Sequence, residues 1–137
     1  MEKYLSKLTW LAYTAFRVVA GLLFAQHGAQ KLFGFLGGMG EAGGSAPFLS
    51  TMFFAGLVEF FGGVLVALGL GTRWAAFLAS GQMAFAYFIA HAPQGFWPIL
   101  NRGELAMLYC FVFFYIACRG GGKVSLDALF GISKKNS

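Results

Sequence analysis

Three stretches of this chain, Leu8–His27, Thr51–Leu70 and Trp74–His91, are nearly free of charge and almost the right length to cross a bilayer. A crossing takes roughly 20 mostly apolar residues in a helix. Each stretch carries one strongly polar residue near its middle: Arg17, Glu59 and Gln82. A fourth apolar run, Leu105–Cys118, has 14 uncharged residues and must draw in Leu100–Glu104 to reach across, which makes the fourth span about residues 101–119. Backbone groups in lipid must be bonded internally, and no alternation of the β-barrel kind is present, so the spans are helices. The expected fold is all-α: a four-transmembrane-helix bundle forming one integral membrane domain over residues 1–137, with spans at about 8–27, 51–70, 74–91 and 101–119.

Composition leaves little alternative. Apolar residues make up 58% and charged residues 11%, and Phe occurs 17 times among 137 residues. Surface-to-volume scaling does not let a soluble domain of this size hide so much Phe and Leu. The net charge of +5 is what cytoplasmic Lys and Arg contribute to a multi-span protein; no basic stripe interleaves with aromatics, and nucleic acid is not an expected partner. With both termini inside, the cytoplasmic side carries Lys3, Lys7, Arg73, Arg119, Lys123, Lys134 and Lys135, and the outer side only Lys31 and Arg102. This bias places both termini in the cytoplasm of a bacterial or archaeal cell, with a multi-pass protein in its cytoplasmic (inner) membrane. Met1–Gly28 resembles a signal peptide, but Arg17 and the missing cleavage site make it an uncleaved span.

The connections are informative in places. Gln30–Leu36 reads as a short amphipathic piece on the outer surface. Gly38-Met39-Gly40-Glu41-Ala42-Gly43 has the letters of a dinucleotide fingerprint without the strand and helix that give it meaning. Gly71–Arg73 is so short that the second and third helices must be antiparallel neighbours. His27 and His91 each close an outward-going helix, which fits either a duplicated hairpin or chance.

Polar groups within a membrane are costly, so their positions carry functional information. Depth sorts them into two layers. Arg17, Glu59 and Gln82 are expected to meet at the midplane, with Arg17 and Glu59 as a buried ion pair that pins the helices or relays protons. Ala55, Glu59, Gly63 and Ala67 form a stripe on which a partner backbone can approach closely. The outer layer holds His27, Gln30, Lys31, His91, Asn101 and Glu104. Such a cluster could hold a quinone head, a metal ion or a haem. No metal motif supports a metal site, so none is assigned. Nine residues separate Gln82 from His91, so on a continuous helix they point to opposite sides unless it unwinds before Pro93. Asn101 and Glu104 also have the spacing of a helix cap with a carboxylate three residues on. Cys110 and Cys118 are about 12 Å apart along one helix, beyond disulfide reach, and read as a small packed residue and either another or a reactive thiol.

Several of these residues resemble the DoxX family: Arg17–Gly34 (RVVAGLLFAQHGAQKLFG), Val58–Thr72 (VEFFGGVLVALGLGT), His91, Asn101–Tyr109 (NRGELAMLY) and Ser125-Leu126-Asp127. The resemblance implies a small four-helix inner-membrane protein associated with quinone-linked, sulfur-oxidising or oxidative-stress redox assemblies. Family positions fall on Arg17, His27, Gly28, Lys31, Glu59, Gly63, His91, Asn101, Glu104 and Asp127. The expected function is a membrane component of a quinone- or thiol-linked redox system, as an oxidoreductase subunit, with a polar site opening to the outer side. Its ligand-binding residues would be Arg17, His27, Lys31, Glu59, His91, Asn101 and Glu104, with His27, Glu59 and Glu104 as candidates for catalysis. A quinone suits the site better than haem or a metal. Expected partners are the lipid bilayer, redox proteins or a second copy of the chain. The alternative is a non-enzymatic scaffold, or a lipid- or small-molecule-binding protein, whose polar pairs are structural.

Overall fold

A computed structural model describes residues 1–132; residues 133–137, with Ser133, Lys134 and Lys135, lie outside the described part. The chain is all-α. In order it forms α1 (Glu2–Lys7), α2 (Thr9–Phe33), α3 (Thr51–Leu68), α4 (Thr72–Ala86), α5 (Pro98–Asn101), α6 (Glu104–Arg119) and α7 (Leu126–Leu129). Between α4 and α5 the chain makes one π-helical turn, Tyr87–His91, and one 3-10 turn, Ala92–Gln94. Two segments, Thr51–Leu68 and Thr72–Gln94, are long and apolar enough to cross a membrane.

Helix ends follow local chemistry. Ser50 caps α3 by accepting from the Phe53 N–H at 3.2 Å, and Gly69 closes it in the left-handed conformation. α2 does not stop at His27. It continues to Phe33, where Gly34 at φ 67° ends it. The separate surface piece expected over Gln30–Leu36 is therefore mostly the last turn of α2, since nothing before Gly34 can break the helix. Beyond it Met39 and Gly44 pair as an isolated bridge, so the glycine-rich segment is a tight turn. Asn101 does not cap α6. It ends α5, Arg102 turns the chain at φ 60°, and α6 starts after Gly103.

α2 packs along α3, α4 along α6, and α3 beside α4. Phe24, Val66, Ala76, Ala79, Phe113 and Ile116, all but sealed from solvent, form the centre. The stripe on α3 acts as expected at Gly63: a Cβ there would lie 2.5 Å from the Ala25 backbone nitrogen. Gly28 is tighter still, with a Cβ falling 2.2 Å from the backbone nitrogen of Phe60. Ser80 ties α4 to α6 through the Cys110 carbonyl at 2.8 Å. Leu22, Phe61, Phe77, Phe88 and Phe111 point outward and are more than half exposed. Cys118 is exposed rather than packed.

The two ends of the molecule differ. The near end holds the starts of α2 and α4, the ends of α3 and α6, and α7. The far end holds the long connection from α2 to α3 and the π turn.

Candidate functional site

A cavity of about 590 Å³ opens between α2, α3, α4 and α6 in the far half. That falls within the range of roughly 300–1,000 Å³ usual for small-ligand sites. Helical spacing explains its walls. Phe24, His27 and Lys31 are three and four residues apart on α2 and share one face. Ala55 and Glu59 are likewise one turn apart on α3.

Glu59 sits at the cavity floor with 2% of its side chain exposed. Its Oε1 forms an ion pair with the Lys31 ammonium and accepts from Gln82 Nε2 at 2.9 Å. Its Oε2 and the Oε1 of Gln82 are buried and receive no hydrogen bond from the described residues. Each buried acceptor left in that state costs about 1–3 kcal/mol. A hydrogen-bond donor that reached either oxygen would relieve that cost.

His91 reaches the same cavity. An uninterrupted α-helix would turn it away from Gln82, but the π turn adds residues per turn and brings it round before Pro93. Its Nδ1 lies 3.0 Å from the Asn101 carbonyl oxygen. A carbonyl only accepts, so Nδ1 carries the proton and Nε2 keeps a free lone pair. On the opposite wall the His27 ring stands edge-on to Tyr109, which stacks on Phe113. His27 has no hydrogen bond among the described residues, so its ring nitrogens are uncommitted. Met83, Phe85, Ile89 and Leu105 make the remaining wall apolar, and Arg102 stands at its border.

Of the residues expected at the site, His27, Lys31, Glu59 and His91 converge here. Three do not. Asn101 is wholly buried behind His91, its side chain donating to Gly95 O at 2.8 Å and accepting from Gly103 N at 2.8 Å. It positions the imidazole through its carbonyl. Glu104 faces outward, beside Pro98, Ile99 and Phe111. Its place as the first residue of α6 turns it away from the cavity.

Arg17 is the third, and its expected pairing with Glu59 is wrong. Glu59 lies at the level of Gly28, eleven residues, or about 16 Å, along α2 from Arg17. Matching the midpoints of the two apolar runs hid this offset, because α2 extends six residues past His27. Arg17 instead donates from Nη1 to the Ala67 carbonyl at 2.7 Å and also to that of Val66, and from Nη2 to Val124 O at 2.7 Å. It thereby meets the unpaired carbonyls and negative dipole end of α3.

Asp127 completes this near-end layer. Its carboxylate accepts from Gly71 N at 2.7 Å, Thr72 N at 2.9 Å and the Thr72 hydroxyl at 2.7 Å, capping α4 from 55 residues away. Burial alone would raise the Asp127 pKa. The bonds from Thr72 and Gly71 and the charge of Arg17 outweigh it and hold the carboxyl below its ordinary range. Ser125 caps α7 through the Ala128 N–H at 3.1 Å, the one local signal of this device in the sequence.

Sequence reasoning placed Gln82 correctly beside Glu59 but missed Tyr109, Phe24 and Arg102 as cavity residues. A lone Tyr in an apolar run carries no depth or facing signal of its own.

Among the described residues no three His, Cys, Asp or Glu side chains gather as a metal-binding group. Comparison with known proteins gives a match to the DoxX family over residues 12–92. That stretch runs from α2 through the π turn and contains His27, Lys31, Glu59, Gln82 and His91. An uncharacterized protein of Haemophilus influenzae is 42% identical, over 95% of this chain and 96% of its own length. No solved structure matches the chain.

Proposed function

The chain belongs to the DoxX family, and on that premise we propose that it is a four-span protein of the cytoplasmic membrane whose cavity binds the head of a quinone in a redox system. α2, α3, the Thr72–Gln94 segment and α6 are the spans. α6 covers only about 24 Å of a roughly 30 Å hydrocarbon core, and α5 fills the remainder. The outward Phe and Leu side chains would face lipid rather than water. Lys3, Lys7, Arg73, Arg119 and Lys123 lie at the near end and Lys31 and Arg102 at the far end, which points the near end to the cytoplasm and the cavity outward. In a cysteine-free background, single cysteines at Ser6, Ser45 and Ser133 test this. Ser45 should react with an impermeant reagent in intact cells while the other two are protected; the reverse pattern overturns the orientation.

The observation that carries the ligand reading is the orphaned acceptor pair, Glu59 Oε2 and Gln82 Oε1, at the floor of an otherwise apolar cavity. A quinone-class head, which carries hydroxyl donors in its reduced form, fits such a place. Its flat ring suits the Phe24, Phe85 and Ile89 walls, and its two oxygens can reach polar groups on different walls. His27, Lys31, Glu59, Gln82 and His91 would hold it. The bound ring would supply two-electron chemistry, while the chain's part is to orient it, exclude water and hold protons at the imidazoles.

Extraction and mass spectrometry of the detergent-purified protein should find a co-purifying quinone. His27→Gln and His91→Gln should each remain folded and lose about tenfold in affinity for the ring ligand in the redox form that co-purifies, the worth of one good hydrogen bond. Undiminished retention with a collapse in stability would make both histidines structural. The scaffold reading applies to the other layer. Arg17 and Asp127 are occupied by helix ends, and their work there is to hold the near end together.

A further inference from the structure

Resting on that reading, we infer that the cavity selects the reduced, hydroxyl-bearing form of its ring ligand, the quinol, over the oxidised quinone. Three acceptors with unused lone pairs belong to residues that line one cavity. Glu59 Oε2 and Gln82 Oε1 receive nothing from the described residues. His91 Nε2 is an acceptor because the Asn101 carbonyl, 3.0 Å from Nδ1, holds the proton on the other nitrogen. They come from two helices and a π turn.

The chain's own donors leave Glu59 Oε2 and Gln82 Oε1 unmatched. The Lys31 ammonium and Gln82 Nε2 each direct one N–H to the same oxygen, Glu59 Oε1, which leaves Oε2 without a donor. A quinone carbonyl can only accept, so it would take an unused N–H of Lys31 or Gln82 and would leave every free acceptor unmatched. A quinol hydroxyl both donates and accepts. It can give its hydrogen to His91 Nε2 or to the floor and still receive from Lys31. A site built to receive a hydroxyl rejects an analogue without one because its own buried polar groups are then stranded. Only hydrogen bonds form in this step, and no electron moves.

The second wall agrees with this assignment. His27 carries no hydrogen bond among the described residues and stands edge-on to Tyr109 at 6.2 Å between ring centres. Its two nitrogens provide one donor and one acceptor, so it can serve the second ring oxygen in either form. Discrimination therefore rests on the Glu59, Gln82 and His91 side.

The test is isothermal titration of the whole protein in nanodiscs under argon with three probes: decylubiquinol, decylubiquinone and the dimethyl ether of that quinol. The ether keeps the ring and tail, lacks both O–H donors and undergoes no redox change. The quinol should bind at least about tenfold more tightly than the quinone, equivalent to about 1.4 kcal/mol, and the ether should bind no better than the quinone. His91→Phe should bring the quinol and quinone affinities to within about threefold of each other. Gln82→Met serves as a second variant should the first not fold. Equal affinity for quinol and quinone, or a quinol preference shared by the ether, overturns this inference and leaves a quinone site standing. Failure of all three probes to bind overturns the quinone reading itself.

Discussion

Gly28→Ala is expected to cost about 3 kcal/mol or more and to disrupt the cavity with the fold. The added Cβ would fall 2.2 Å from the Phe60 backbone nitrogen and 2.6 Å from its Cα. Backbone atoms in a helix cannot swing aside as a long side chain can, so α2 and α3 must separate over several turns. Overpacking of this kind usually costs about 1–3 kcal/mol, and more where the neighbour is rigid. Separation also draws Lys31, three residues further along α2, away from Glu59. Gly81→Ala is the matched control. Its Cβ would meet nothing within 4 Å, and the position is an exposed one in α4, so the change should add about 0.5–1 kcal/mol of stability. Denaturation in detergent, followed by circular dichroism, compares the two. Similar stability for both would show that α2 and α3 do not pack at backbone contact.

The second large effect is at Arg17. Arg17→Met removes the donors to Val66, Ala67 and Val124 and takes away a charge that helps keep Asp127 ionised. With each stranded buried carbonyl costing about 1–3 kcal/mol, a loss of about 3–5 kcal/mol is expected. The double-mutant pattern is more telling than the size. Arg17→Met and Asp127→Asn should be coupled, because Val124 and Asp127 belong to one short segment docked over α3 and α4. Arg17→Met and Glu59→Gln should add to within about 0.5 kcal/mol, because the two layers are separate. Strong coupling of Arg17 to Glu59 would restore the midplane ion pair and contradict the layering. Arg17→Met should also leave quinone retention largely intact in whatever fraction stays folded, unlike the histidine variants.

The proposed function draws on the far-end layer alone, and this matters for how the family positions divide. Gly28 and Gly63 let two backbones touch. Arg17 and Asp127 close the near end. His27, Lys31, Glu59 and His91 line the cavity, and Asn101 sets the His91 ring from behind. Glu104 has no contact with either polar layer and stands with apolar neighbours on the outer surface. Residues that a sequence groups together as polar and buried thus have three different tasks.

What the amino-acid order determined by itself was helix identity and composition of the site. Runs of apolar residues bounded by Ser50, Gly34 and Gly69 specify helices and their ends, since capping and left-handed backbone are local properties. His27 and Lys31 were legible as members of one outer polar layer, and the continuation of α2 to Phe33 puts them one turn apart on one face. Tertiary structure decided everything that depends on how one helix slides or rotates against another. Contact at Gly28 and Gly63 sets the depth of α2 beside α3, and that contact sends Arg17 to the end of α3 and Lys31 to Glu59. One π turn rotates His91 into a cavity that a regular helix would deny it. Asp127 caps a helix 55 residues upstream, a partnership no local pattern encodes. Spacing along a helix is written in the chain at 1.5 Å and 100° per residue, whereas the offset between two helices is chosen by the packing of their surfaces.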